Sequence, residues 1–171
     1  RKEDGIVLPA LSSEYEVKAL TDADISDVYR LYRANVKYYR LAEARPHLKE
    51  LTDVITDLPE VENVKGTHFV GFYDGGELIA IMDLITGYPD ESGAFIGWFM
   101  VDAAKQNQGI GSQIFADVRA AVRAAGYDKL TLLCPKENEE AAAFWTGRGF
   151  TITNDTTDQQ GREDLVMEMN I

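Results

Sequence analysis

The run Gln106-Asn107-Gln108-Gly109-Ile110-Gly111 constrains this chain more than any other segment. It follows the apolar, strand-like stretch Phe95 to Val101 and leads into a helix-like stretch beginning at Ser112. A turn in that place leaves the first N–H groups of the helix without partners, at the positive end of its dipole. Those are the requirements of a diphosphate site, and they are met without a lysine. The two glycines permit positive φ and carry no Cβ to hold an anion away from the backbone. Two common phosphate loops are excluded. A Walker loop needs Gly-Lys-Ser/Thr, whereas Gly111 is followed by Ser112 and Gln113. A dinucleotide fingerprint needs a third glycine where Ile114 stands. On this run alone, an ordinary glycine-rich strand-to-helix turn stays open.

A second segment lies downstream. Lys129 to Cys134 (KLTLLC) reads as a buried strand, ended by Pro135-Lys136-Glu137. Asn138 is placed to cap a helix with its side-chain oxygen, and Glu139 and Glu140 suit the positive end of that helix. Ala141, Phe144 and Trp145 follow at helical spacing, and Gly149-Phe150 leads into the next strand. Taken alone, those three residues could equally be plain core.

The rest of the chain reads as one domain, residues 15–171, behind a polar lead-in over residues 1–14 that is loosely held apart from Ile6-Val7-Leu8. Tyr15 to Leu20 alternates as a strand. Thr21-Asp22-Ala23-Asp24 resembles a capping box, and Ile25, Val28, Tyr29, Leu31 and Tyr32 form a helical stripe. A second helix is predicted within Arg45 to Leu58, ended by Pro59. His68 to Tyr73 and Glu77 to Thr86 flank the hairpin signal Asp74-Gly75-Gly76, and Ala94 to Val101 returns beside them. Ser112 to Ala125 is a long helix with Gly126 just past its end. Thr151 to Thr153 and Asp164 to Met169 close the chain as strands around a polar loop, Asn154 to Arg162.

The two segments, in this order with a complete helix and strand between them, resemble the GNAT N-acetyltransferase family. The first matches its coenzyme A loop, Gln/Arg-x-x-Gly-x-Gly/Ala; the second matches its strand, Asn cap, aromatic pair and Gly-Phe. The resemblance is sharp from Phe95 to Phe150 and topological elsewhere. It implies an α/β fold with a mixed sheet in the order β-α-α-β-β-β-α-β-α-β-β, with splayed central strands. It also implies acetyl-CoA as co-substrate and an amine, small-molecule or peptide, as acceptor. By position, Phe99, Met100 and Val101 would offer backbone groups to the pantetheine arm. Gln106, Asn107, Gln108, Gly109, Ile110, Gly111 and Ser112 would cradle the diphosphate, and Asn138, Phe144 and Trp145 would line the opposite wall. Lys105, Lys136 and Arg148 are candidates for the adenine-ribose phosphate.

The chain departs from the family pattern at the catalytic places. Trp145 stands where relatives carry a tyrosine general acid, and an indole N–H cannot surrender its proton. Phe95 stands where some relatives carry a glutamate base. Asp83, inside the apolar strand Ile79 to Ile85, is the candidate substitute base. A carboxylate there is costly to bury unless paired or hydrated, so it is expected to face a cleft; a hydrogen-bonded sheet residue is the alternative that stays open. The Met100 N–H is the candidate oxyanion donor, and Tyr38, Tyr39 and Tyr88 are candidate acceptor contacts. The departures keep an alternative open, a non-catalytic acyl-CoA-binding sensor or regulatory module.

Composition narrows the partners. The net charge is −12 with no Lys/Arg cluster, which argues against nucleic acid. It favours a cationic partner such as an amine or serves solubility alone, and both readings stay open. His47 and His68 stand alone without metal-ligand spacing, so no metal is expected. No apolar run is long enough for a membrane span, and no secretory-signal pattern opens the chain. A single cysteine, Cys134, excludes an internal disulfide and suits the cytoplasm; it reads as packed rather than nucleophilic. A homodimer stays open as the assembly.

Overall fold

The computed structural model describes residues 3–35, 64–157 and 161–171. Its strands are β1 (Glu16–Ala19), β2 (Gly66–Asp74), β3 (Glu77–Thr86), β4 (Gly93–Val101), β5 (Lys129–Pro135), β6 (Thr151–Thr157) and β7 (Glu163–Asn170). Its helices are α1 (Ile25–Ala34), α2 (Ile110–Ala124) and α3 (Glu139–Arg148). The strands form one sheet in the order β1-β2-β3-β4-β5-β7-β6. Every pairing is antiparallel except β4 with β5, which run parallel because α2 carries the chain back across the sheet. This is the predicted α/β mixed-sheet fold. The second predicted helix, with Tyr38, Tyr39 and His47, lies outside the described residues.

The period of two along each strand sorts side chains to two cores. Val70, Phe72, Met82, Leu84 and Ile96 pack with Ile114, Phe115, Val118 and Val122 of α2 and Trp145 of α3. Phe69, Ile81 and Met100 pack instead with Val28, Leu31 and Tyr32 of α1. With both faces covered, the central strand β3 reads as one continuous apolar run, broken by Asp83 alone.

Local signals act where the sequence places them. Thr21 Oγ1 accepts from the Ala23 N–H at 3.3 Å, and Asp24 accepts from the Thr21 N–H at 2.8 Å, which starts the turn leading into α1. Asn138 Oδ1 accepts from the Ala141 N–H at 3.0 Å and starts α3.

Two expectations need correction. β6 extends to Thr157 rather than stopping at Thr153, although all of its residues are exposed. It is an edge strand, so its backbone bonds to β7 suffice and polar side chains do not end it. The lead-in is also held more firmly than its polarity suggests. Leu11 is fully buried in the larger core, and Ser13 bonds Asp117 of α2 through both its N–H, at 2.9 Å, and its hydroxyl, at 2.8 Å. Asp4 accepts from Thr86 Oγ1 and pairs with His68 Nε2, both at 2.5 Å, while Tyr127 donates to the Asp4 carbonyl at 2.7 Å. Burial acts to raise the Asp4 pKa, but the bonds from Thr86, His68 and the Ile6 amide outweigh it and hold the carboxyl below its usual range. His68 is therefore a partner of the lead-in, where sequence alone leaves it isolated.

Leu11→Ala should lower stability by about 2–5 kcal/mol, read as an earlier urea midpoint at unchanged slope. An unmoved midpoint would mean that the lead-in is not part of the cooperative fold.

Candidate active site

The site begins where two parallel strands stop pairing. β4 and β5 are in register only from Gly93 opposite Lys129 to Ile96 opposite Leu132. Beyond that point β4 pairs with β3 alone and β5 with β7 alone, so the strands part and leave facing backbone edges open. The parting starts at Gly97, which is also a β-bulge. Asp83 lies opposite Trp98 and Leu84 opposite Ile96, which leaves Gly97 with no partner on β3.

On the α2–α3 side, a cavity of about 700 Å³ fills the gap. Phe99, Met100, Val101, Gln106, Asn107, Gly109, Ile110, Gly111, Ser112, Asn138, Phe144 and Trp145 all line it, so it gathers every predicted cofactor residue except Gln108. The bend itself is made by Asn107, at φ 61, and Gly109, at φ 77. α2 starts at Ile110, two positions earlier than the predicted Ser112, so Gly111 lies inside its first turn. Gly111 shows no positive φ, and a Cβ there would make ordinary contacts with Phe144 and Val101, so neither the backbone nor the protein's own packing demands a glycine at this place. Among the described residues, no acceptor meets the N–H groups of Asn107 through Ser112; the first bond after the bend is Gln113 N–H to the Gly109 carbonyl. These donors stand at the positive end of α2, where an anion is stabilised.

The side chains of the bend serve the protein. Gln106 Nε2 donates to Asn35 Oδ1 at 2.6 Å and to the Val101 carbonyl at 2.9 Å, and Gln108 Nε2 reaches the Ala104 carbonyl at 3.4 Å. Of the three candidate phosphate cations, Arg148 is the one set at the bend. It bonds Ser112 Oγ and lies over the Phe144 ring, 5.1 Å from its centroid. Lys136 is engaged with Glu163 at 3.6 Å and Asp155 at 4.0 Å. Lys105 ends the short turn Ala103–Lys105.

The far wall is aromatic. Trp145 is buried and meets Phe99, Phe115, Phe144 and Phe150 at centroid distances of 5.9, 5.5, 4.9 and 5.3 Å. It is a packing hub that also presents one surface to the cavity. Cys134 is buried in the same core, and burial pushes its thiol up to about 11, so it holds no thiolate near neutrality.

Asp83 sits on the other face of the sheet and does not line the cavity. Its cross-strand neighbours are Phe69 and Trp98, and Trp98 meets the rings of Tyr32 at 4.9 Å and Phe69 at 6.1 Å. A Cβ on Gly97 would fall 2.5 Å from Asp83 Oδ2, so the bulged glycine makes the room the carboxylate occupies. Burial among these rings pushes the Asp83 pKa up to about 6. Tyr88 lies edge-on to Phe95 at 5.2 Å, beside β4. Among the described residues, no group of three or more His, Cys, Asp and Glu is arranged to hold a metal ion.

Sequence reasoning missed Gly97 and Asn35. A glycine inside a strand pattern is a bulge signal and pointed to the first. Asn35 follows a helical stripe and is distant in sequence from the bend, so nothing local marked it.

The model of the acetyltransferase (GNAT) family matches residues 28–150, and the chain belongs to that family. It is a GNAT N-acetyltransferase. No curated protein matches it in sequence. Its fold is similar to an acetyltransferase from Thermus thermophilus, with a TM-score of 0.73 at 19% identity over 91% of this chain and 96% of that one. The PaiA N-acetyltransferase from Thermoplasma acidophilum, in complex with coenzyme A, gives 0.67 at 16% identity over 91% and 98%. The ribosomal-protein-S18-alanine N-acetyltransferase from Escherichia coli gives 0.66 at 17% identity over 91% and 92%. At such identities the likeness carries the fold and nothing finer. Among the described residues, no helix is long and apolar enough to cross a membrane.

Gly111→Val tests the bend as an anion site. The nearest atoms to a Cβ at Gly111 would be those of Phe144, at 3.5 Å, and Val101, at 3.6 Å, which are ordinary contacts, so the variant should fold. The branched side chain would fill the space before the free amides, and affinity for coenzyme A measured by calorimetry should fall about tenfold or more. Unchanged affinity would place the diphosphate elsewhere.

Proposed function

We propose that the protein moves an acetyl group from acetyl-CoA directly to an amine, small-molecule or peptide, with Asp83 as the base. The observation that carries this reading is the parting of β4 from β5 at Gly97, with a cavity on one face and an aromatic-framed carboxylate on the other. Cofactor and acceptor approach the gap from opposite faces of the sheet. The diphosphate is held by the amides of Asn107 to Ser112, with Arg148 supplying the side-chain charge that Gln106, Asn107 and Gln108 lack. The pantetheine arm runs along the open edge of β4 between Phe99 and the wall of Asn138, Phe144 and Trp145.

The chemistry is a single transfer. The acceptor amine, its ammonium proton already lost to water, attacks the thioester carbonyl carbon through nitrogen and gives Asp83 the second proton that the new amide cannot keep. The resulting oxyanion takes a hydrogen bond from the Phe99 N–H, an effect commonly worth about 3 kcal/mol per donor. Met100, expected to donate, stands opposite Ile81 in the bonded register set by the Asp102 N–H and Ile79 carbonyl, so its own N–H faces β3. The C–S bond then breaks and coenzyme A leaves as a thiolate, a tolerable leaving group near neutrality, so the missing tyrosine acid is not required. The acidic surface, −12 in net charge, favours a cationic acceptor. Tyr88 is kept as an acceptor contact beside Phe95, and Tyr38 and Tyr39 as contacts from the segment after α1. The buried free thiol of Cys134 fits a reducing cytoplasm.

A thiol-release assay with acetyl-CoA and a panel of amines, including polyamines, amino acids and peptide N-termini, should give turnover with at least one class. Silence across the whole panel would count against the reading. Asp83→Asn should cut kcat/KM by about 10²–10⁴-fold and remove the rise in activity through a pH of about 6, where Asp83 becomes able to accept a proton. The effect on stability has the opposite sign. A carboxyl raised to about 6 contributes fully below its ordinary range and loses that contribution as pH rises. The same substitution should therefore stabilise the fold above neutrality, by on the order of 1–2 kcal/mol after solvent screening, and do nothing in acid. A pH profile unchanged by the substitution would remove Asp83 as the base.

A further inference from the structure

Asn35 closes α1, and its side chain does more than end a helix. It is buried, and its Nδ2 donates to the Leu31 carbonyl at 2.8 Å and to the Val101 carbonyl at 3.4 Å. Its Oδ1 accepts from Gln106 Nε2 at 2.6 Å, and that same nitrogen donates to the Val101 carbonyl at 2.9 Å. The orientation of both amides is dictated chemically, because Val101 offers a carbonyl and each must turn its nitrogen toward it. Two side-chain amides and one main-chain carbonyl thus tie together the end of α1, the last residue of β4 and the first residue of the bend. A second tie runs beside it. Arg30 of α1 reaches Asp102 at 3.5 Å and the Leu78 carbonyl at 3.2 Å, while buried Asp102 caps the next turn through the Ala104 N–H at 3.0 Å.

We propose that Asn35 and Gln106 form a positioning pair for cofactor binding, holding the free amides of the bend at a set distance from the open edge of β4. This rests on the transferase reading and deepens it. The Gln106 side chain spends its donors inside the protein, so it acts on the diphosphate only by fixing the backbone that grips it. The Val101 carbonyl is already taken, so the edge offered to the pantetheine arm stops short of it. Ala34 and Asn35 both line the cavity, so the end of α1 is itself one of its walls. Coenzyme A must engage the bend and the strand edge together, and a shift between the two weakens both grips.

A double-mutant cycle tests the pairing, with coenzyme A affinity read by calorimetry on Gln106→Ala, Asn35→Ala and the double variant. Each single change should raise Kd about fivefold, the scale of one lost hydrogen bond, and the double should be no worse than either. KM for acetyl-CoA should rise in step while KM for the amine stays put, a split that a general loss of stability would not produce. Gln106 is exposed, so its variant keeps the fold; Asn35→Leu, which is close in shape and loses both the donors and the Oδ1 acceptor that Gln106 uses, replaces Asn35→Ala if that variant unfolds. Two outcomes overturn the proposal: Gln106→Ala weakening binding while the Asn35 variants do not, or the two effects multiplying. The first would make Gln106 a direct phosphate ligand, and the second would mean that the two side chains act independently. Wild-type protein that binds no coenzyme A at all would instead sink the transferase reading itself.

Discussion

The structure depends on an interruption in hydrogen bonding between β4 and β5. A sheet interior normally leaves no backbone group unpaired, since each one buried alone costs about as much as a lost bond. Here pairing stops after Ile96 meets Leu132, and the rest of β4 is left with one neighbour. The surrounding structure makes that tolerable in three ways. The bulge at Gly97 turns the strand aside, the α3 aromatics cover the gap, and the two amides of Asn35 and Gln106 satisfy the Val101 carbonyl at its end. The opening is therefore a maintained feature of the fold rather than a fault in it.

The aromatic cluster around Trp145 and the carboxylate of Asp83 show how one sheet supports two unlike environments. On the α2–α3 face, five rings build a rigid apolar wall with Asn138 as its polar edge. On the α1 face, rings surround a single acid and raise its pKa by keeping water from it. β4 contributes to both, because Phe99 points to one side and Trp98 to the other.

Much of this was legible in the sequence, for identifiable reasons. The bend and the Asn138 cap are local motifs whose chemistry follows from neighbours in the chain, and the structure sets them around one cavity. The hairpin at Gly75-Gly76 and the strand Glu77–Thr86 were equally local. What escaped was set by tertiary contact. The extended β6 depends on its partner β7, since its own residues are polar. The firm lead-in depends on His68, Thr86 and Tyr127, all far along the chain from Asp4. Gln106 reads as a phosphate residue because it opens the glycine run, and only the fold brings Asn35 to its side chain.

The bulge has a consequence for how such a chain can diversify. Gly97 and Asp83 compete for one volume, so a side chain at the first position requires the carboxylate at the second to turn aside or be shortened. A lineage that adds a side chain at residue 97 first would pass through a crowded intermediate, whereas shortening residue 83 first opens the room. Covariation between these two positions, rather than the identity of either, is the mark this geometry should leave on descendants of the chain.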